Sequence, residues 1–206
     1  MQTGQFYLQD SRSHVGDNLQ FWATAGNGYK TDLSQLQVYT HDEALAQHHC
    51  RETDIPWPKA YIDARAHRGV DQQHVDPDEA VRRSSNEERF YAAYPNEFNG
   101  NDLIFASTTG GRTADLRVAA IYSKEEVPAL VVKGLRPLPA GYIDAKSRQL
   151  VRLQHVSIKE ALRGTGIKLI KPRPERRPTY NCAGCGRFLN AEGYYGGCPH
   201  CSTVSC

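Results

Sequence analysis

The sequence predicts an α+β protein: two tandem homologous copies of one small module, over residues 5–84 and 89–164, then a basic proline-rich linker (165–179) and a cysteine-bearing module (180–206). Three observations predict it. The chain repeats itself over most of its length, short β-prone runs alternate in each repeat with segments that open on helix caps, and four of the six cysteines stand as two C-x-x-C pairs near the C-terminus. With 206 residues, 39% hydrophobic and 23% charged, the chain has an ordinary globular composition and room for more than one core. No apolar run approaches the ~20 residues that cross a bilayer, and the polar start Met1-Gln2-Thr3-Gly4-Gln5 is no signal segment. The expectation is a protein without a membrane partner, placed in the cytoplasm.

The repeat is read directly from the residues. Phe6-Tyr7, Gly16, Leu19 and Phe21 return as Phe90-Tyr91, Gly100, Leu103 and Phe105, while Asp32-Leu33, Val38-Tyr39-Thr40 and Glu43 return as Asp115-Leu116, Ile121-Tyr122-Ser123 and Glu126. Tyr61-Ile62-Asp63-Ala64-Arg65 returns as Tyr142-Ile143-Asp144-Ala145-Lys146, and Gln73-His74-Val75 as Gln154-His155-Val156. The offset shrinks from 84 (Phe6 to Phe90) to 81 (Tyr61 to Tyr142), which needs only small loop deletions. Positions kept in both copies serve a shared fold; positions that differ are where the copies can specialise.

Within each copy the elements follow from local chemistry. Phe6–Leu8, Leu19–Trp22 and Leu36–Tyr39 are β-prone runs separated by Gly, Asp and Asn, and Gly26–Gly28 and Gly110-Gly111 read as hairpin turns. Thr40-x-x-Glu43 has the capping-box spacing and opens a helix through His49. Pro58–Ala64 reads as a further strand, and Asp76-x-x-Glu79 caps a last short helix. The second copy repeats the caps as Ser123-x-x-Glu126 and Ser157-x-x-Glu160, with Pro128 expected to shorten or kink its first helix. Between the copies and the cysteines, Lys168, Lys171, Arg173, Arg176 and Arg177 interleave with Pro172, Pro174 and Pro178, as an extended basic connector would.

Cys182-Ala-Gly-Cys185 and Cys198-Pro-His-Cys201 offer two thiols from each of two tight turns, the ligand set of a tetrahedral zinc site. The segment resembles a zinc ribbon, with Gly186 and Pro199 at the knuckles, and the resemblance implies bound zinc but no activity. A disulfide module would need an oxidising compartment, and a redox dithiol needs only one pair; iron is the other metal such thiols accept. His200 is expected to point away from the metal, Cys206 to be a spare thiol and the lone Cys50 a small buried hydrophobe.

Other chemistry-bearing residues read more plainly. Six of the eight histidines (His14, His41, His48, His49, His67 and His74) fall in the first copy, but without the spacing of a helical metal pair; solvated helix histidines explain His41 and His48. His74 and His155 occupy equivalent positions, as satisfied structural histidines would. Asp63 and Asp144 are candidates for a general acid/base pair, although hydrogen bonding within their own turns is sufficient reason for them. No nucleophile elbow, P-loop or dinucleotide fingerprint occurs. Trp22 and Trp57 become Ala106 and Leu138 in the second copy, so the shared fold does not require them; they fill local gaps or form an aromatic patch for a partner.

Two functions compete. In one, the duplicated modules bind a host protein and the zinc module is a structural staple. In the other, Lys168, Lys171, Arg173, Arg176, Arg177 and Arg187 hold the phosphates of DNA or RNA, while Phe188, Tyr194 and Tyr195 offer stacking faces. The stretch Phe6–Asn18, with Gly28–Asp32 and Trp57–Asp63, resembles small uncharacterised proteins of bacteriophages and prophages. That resemblance covers the first copy chiefly and implies an accessory role in a bacterial cytoplasm, such as binding and inhibiting a host defence enzyme or nucleic-acid machinery. The reading is therefore a non-enzymatic binding protein with zinc as its cofactor, its oligomeric state left open.

Overall fold

The computed structural model describes residues 4–171 and 180–204, and its two largest sheets are each five-stranded and antiparallel. The first holds β1 (Gln5–Val15), β2 (Asn18–Trp22), β3 (Tyr29–Lys30), β4 (Tyr39–Thr40) and β5 (Asp54–Pro58), with α1 (His41–Cys50) between the last two. After α2 (Lys59–Asp63) come β6 (His67–Gly69) and α3 (Pro77–Ser84). The second sheet holds β7 (Arg89–Asn99), β8 (Asp102–Ala106), β9 (Arg112–Thr113), β10 (Ile121–Ser123) and β11 (Arg136–Pro139), with α4 (Val127–Val132) before β11. Then follow α5 (Ala140–Lys146), β12 (Arg148–Leu150) and α6 (Ile158–Ala161).

The two sheets have the same plan. β1 pairs with β5 along one edge and with β4 and then β2 along the other; β7 pairs in the same way with β11, β10 and β8. Each long strand shifts register midway, between Gln9 and His14 and between Ala93 and Phe98. Side chains alternate across β1: Tyr7 joins Leu19, Phe21 and Trp57 on one face, while Phe6 and Leu8 meet Ala44 of α1 on the other.

Each core is completed by the other half of the chain. Val151 and Ala161 are buried against Phe21, whereas Val70, Val75 and Ala80 are buried against Phe105. Backbone hydrogen bonds repeat the exchange: Leu19 N–H donates to Val151 C=O and Leu103 N–H to Val70 C=O, both at 2.9 Å. Ser157 N–H donates to Tyr61 Oη and Asp76 N–H to Tyr142 Oη, again both at 2.9 Å. At the seam β6 and β12 pair antiparallel, with Arg68 opposite Gln149. The hairpin ends also meet backbone to backbone. Gly16 and Gly100 have φ of +57° and +61°, and a Cβ on Gly16 would lie 2.4 Å from Gly100 N. Residues Met1–Ile170 accordingly cluster as one compact unit and Lys171–Cys206 as a second.

Several elements differ from the sequence expectation. Pro58–Ala64 is not a strand: β5 ends at Pro58, which precedes the helical turn of α2. β5 is an edge strand, where Pro56 and Pro58 can lack N–H donors without breaking a ladder. Leu33–Gln35 is a 3₁₀ turn, leaving only Tyr39–Thr40 as strand. The capping boxes at Thr40/Glu43 and Ser123/Glu126 are formed, and Asp76 caps α3. Ser157 makes no side-chain cap, its backbone N–H being held by Tyr61 instead. Pro128 lies in the first turn of α4, which a 3₁₀ turn at Lys124–Glu126 precedes. The start of the expected linker is packed: Ile167 is 6% exposed against Phe6, Leu8 and Ala44.

The second unit contains β13 (Tyr180–Asn181), β14 (Phe188–Leu189) and α7 (Ala191–Gly196). Asn190 caps α7 by accepting from Gly193 N–H at 2.9 Å.

Candidate metal centre and contact residues

Hairpin β13–β14 carries the first cysteine pair in its turn, and the chain after α7 carries the second. Cys182 N–H donates to Arg187 C=O and Gly186 N–H to Cys182 C=O, closing a tight loop that needs φ of +71° at Gly186. The second loop closes similarly, with Cys198 N–H on Thr203 C=O and Ser202 N–H on Cys198 C=O; here Ser202 takes the left-handed position, with φ of +59°. Pro199 lies within that loop.

These loops bring Cys182, Cys185, Cys198 and Cys201 together, with the four sulfurs all within 4.8 Å of one another. Sγ–Sγ distances are 3.5 Å for Cys182–Cys201 and 3.7 Å for Cys185–Cys198. Sulfurs at the corners of a tetrahedron around an ion with bonds of about 2.3 Å lie roughly 3.8 Å apart, so the cluster fits one metal ion. Cys182 and Cys198 are buried beside Leu189, while Cys185 and Cys201 are exposed. Hydrogen bonding with the Thr203 side chain, 3.3 Å away, lowers the Cys201 thiol, while the neighbouring sulfurs raise that of Cys185. Main-chain N–H of His200 approaches Cys198 Sγ at 3.5 Å, and its exposed ring is not among the clustered ligands. Among the described residues no other cluster of His, Cys, Asp or Glu has metal-site geometry.

The histidines of α1 have structural partners. His48 is wholly buried, its Nδ1 2.9 Å from Asp54 C=O, so Nε2 accepts from Ile170 N–H at 2.9 Å. His41 Nε2 lies 3.0 Å from Thr165 C=O. Together they fasten Thr165–Ile170 against the first sheet, so His48 is not a solvated helix histidine. Conversely, His74 and His155 are exposed at the ends of 3₁₀ turns, and Cys50 is exposed rather than buried.

Trp57 is 3% exposed and donates Nε1–H to Gln9 Oε1 at 2.7 Å, so it is core and offers no surface to a partner. Trp22 is half-buried beside Tyr29, with ring centroids 4.7 Å apart. Lys168, Lys171 and Arg187 are exposed; Arg173, Arg176 and Arg177 lie outside the described residues, as does Cys206. Tyr180 stacks on Tyr194 with centroids 4.3 Å apart, Tyr195 closes edge-on at 5.1 Å from Tyr194, and Phe188 is 78% exposed.

Asp63 and Asp144 do not meet as a pair. Asp63 accepts from Tyr7 Oη at 3.2 Å and pairs with Lys59; Asp144 accepts from Tyr91 Oη at 3.2 Å and pairs with Arg68. Burial, with the nearby carboxylate, raises both tyrosines above their ordinary range, and Asp63 raises Lys59, so neither the tyrosines nor the lysine is poised to exchange protons near neutrality.

Around Asp63 lies a polar cleft of about 660 Å³, lined by Tyr7, Asp32, Leu33, Ser34, Lys59, Ser147, Arg148 and Gln149. Reading one copy of the repeat at a time cannot find it, because Ser147–Gln149 come from the other half. No helix among the described residues is long and apolar enough to cross a membrane. Comparison with protein-family models, curated proteins and solved structures found no match.

Proposed function

We propose that the protein is a non-enzymatic binding protein whose body arose by tandem duplication and which engages a host protein, as phage accessory proteins do in a bacterial cytoplasm. The observation that carries this reading is the likeness of the two halves in strand pairing and buried contacts, set against their unlike open surfaces. Retained cores and divergent clefts are what recognition requires of a duplicated scaffold. The C-terminal module is read as a zinc ribbon, its four thiolates being the ligand set that zinc favours in structural sites. Bound zinc would fix the two loops and have no open position for a substrate.

A pull-down from bacterial lysate with the full chain, with and without nuclease, tests this reading: a stoichiometric protein partner retained after nuclease is expected, and loss of every partner would overturn it. Metal analysis is expected to find one zinc per chain, and Cys182→Ser to lose it. Chelation is expected to unfold residues 180–204 while the body keeps its unfolding midpoint, since the two are separate compact units.

A second reading has its own support. Phe188 and Tyr195 are exposed beside a tyrosine stack, with Arg187 on the same short hairpin, a composition suited to single-stranded nucleic acid. It requires binding of a single-stranded oligonucleotide that weakens steeply with salt and is lost on Tyr195→Ala.

A further inference from the structure

The sequence repeat assigns each residue of one half a counterpart in the other: Asp32 with Asp115, Asp63 with Asp144, Tyr7 with Tyr91, Ser34 with Arg117 and Gln149 with Arg68. In the second half both carboxylates hold an internal guanidinium. Arg117 Nη2 donates to Asp115 Oδ2 at 2.7 Å, and its Nε to both carboxylate oxygens at 3.0 and 3.1 Å. Arg68 Nη2 donates to Asp144 Oδ1 at 3.2 Å and to Ser147 Oγ at 2.6 Å, with Nε on the same hydroxyl at 3.1 Å.

In the first half both carboxylates and the tyrosine remain, but both arginines are gone. Serine and glutamine stand in their places, exposed, and the space the arginines would fill is the open cleft of about 660 Å³. Asp32 accepts only from its own turn, from Ser34 N–H and Oγ and from Gln35 Nε2. Asp63 is matched by Lys59, which is Ala140 in the second half and about one-third exposed at the cleft mouth. Arg148, the remaining cation of the lining, is engaged by Asp71 and Asp102 at 3.1 and 2.9 Å.

We propose that the first-half cleft takes the guanidinium of an arginine side chain presented by a partner protein, with Asp63, Tyr7 and Asp32 as its recognition groups and Lys59 as the cation it displaces from Asp63. Arg68 shows the mode of entry: it projects from a strand, β6, beside the seam. Planar, two-nitrogen contact with a carboxylate favours arginine over lysine. The inference rests on the protein-binding reading and names the group that the partner must contribute.

The test uses isotope-labelled full-length protein titrated with N-acetyl-arginine amide and, separately, with the uncharged isostere N-acetyl-citrulline amide. The arginine probe is expected to shift the backbone amides of Ser34, Lys59 and Gln149 saturably in the millimolar range, and the citrulline probe not to shift them. Gln149→Arg, a change at an exposed site that supplies the missing internal occupant, is expected to weaken the arginine probe by about tenfold or more without lowering the thermal midpoint. Lys59→Met is expected to tighten it. Absence of a saturable shift, equal shifts with citrulline, or an unchanged affinity in Gln149→Arg would overturn the assignment. A failed titration removes the cleft alone, since the lysate pull-down judges the protein-binding reading without reference to this site.

Discussion

At the seam between the halves, corresponding positions carry opposite chemistry. Arg148 of β12 is clamped by Asp71 and Asp102, and Asn18 donates to Asp102 at 2.7 Å. Its counterpart on β6 is His67, where Arg152 stands in place of Asp71 and Asn18 in place of Asp102. His67 is 1% exposed, and neither ring nitrogen has a hydrogen-bond partner. One side of the seam is thus an ion network, in which Arg148 Nε and Asn18 Oδ1 still lack partners, and the other a neutral imidazole beside Arg152 and Arg117. Burial, with Arg152, Arg117 and His155 nearby, outweighs Asp115 and lowers His67 to about 4.

The largest way to break this arrangement is Arg148→Ala. It strands two buried carboxylates, and removal of one member of a buried ion network costs about 3–5 kcal/mol. Urea denaturation should show that loss, with Asp102→Asn partly restoring stability in the double variant.

Acid comes next. Because His67 titrates near 4 when folded and near 6.5 when unfolded, the unfolded chain binds the proton first. Its contribution is fully present above about pH 6.5 and is lost as pH falls toward 4, by at most about 3 kcal/mol. Burial raises Asp102 instead, so its protonation favours the folded state as acid enters its range. His67→Gln should remove the loss of stability between pH 6.5 and 4, and Asp102→Asn should remove the opposing gain that sets in, as pH falls, above the ordinary carboxylate range. A His67→Gln curve as steep as the parent's would remove His67 from the account.

Much of this was legible in the residues, but not the exchange of parts. The repeat pairs Val70 with Val151 and Leu103 with Leu19, yet a repeat says which residues are alike and not which copy a segment packs into. Only the observed Leu103–Val70 and Leu19–Val151 hydrogen bonds decide that. The cysteines are readable because two tight turns at that spacing have few other uses, whereas the short α7 has only the ordinary cap of Asn190 to mark it. Lys168, Lys171 and the nearby prolines make 165–179 read as an exposed linker. Ile167 carries the contrary signal: it packs on Phe6, Leu8 and Ala44, and the buried His48 accepts from Ile170 N–H, contacts between segments more than a hundred residues apart. Cys50 shows the limit of type-based expectation: burial follows the face an element presents, and α1 buries Ala44 and His48 instead of Cys50.

A smaller effect probes the crossing of the two hairpins. Gly16→Ala combines a left-handed φ with overlap onto backbone that cannot swing aside, and should cost about 2–3 kcal/mol. Gly110→Ala, also at positive φ but with nothing within 4 Å, should cost only the conformational part. A difference between the two variants measures the close approach itself, which the sequence repeat alone does not reveal.

The smallest expected effects separate the two clefts. Lys59 and Asp63 are about one-third exposed, as are Arg68 and Asp144, so each pair sits where ion pairs contribute no more than about 1 kcal/mol. Arg68 also bonds Ser147 Oγ twice and reaches Asp144 C=O at 3.3 Å, whereas Lys59 has only Asp63 and the Tyr7 hydroxyl and ring. Arg68→Met should therefore destabilise by nearly the full 1 kcal/mol, and Lys59→Met by less than half of that. Moderate salt should narrow the gap without closing it, because the neutral hydrogen bonds of Arg68 are not screened. The reverse order would mean that Lys59 is the more deeply fixed cation, and a cleft whose cation is fixed has no place for an arriving guanidinium.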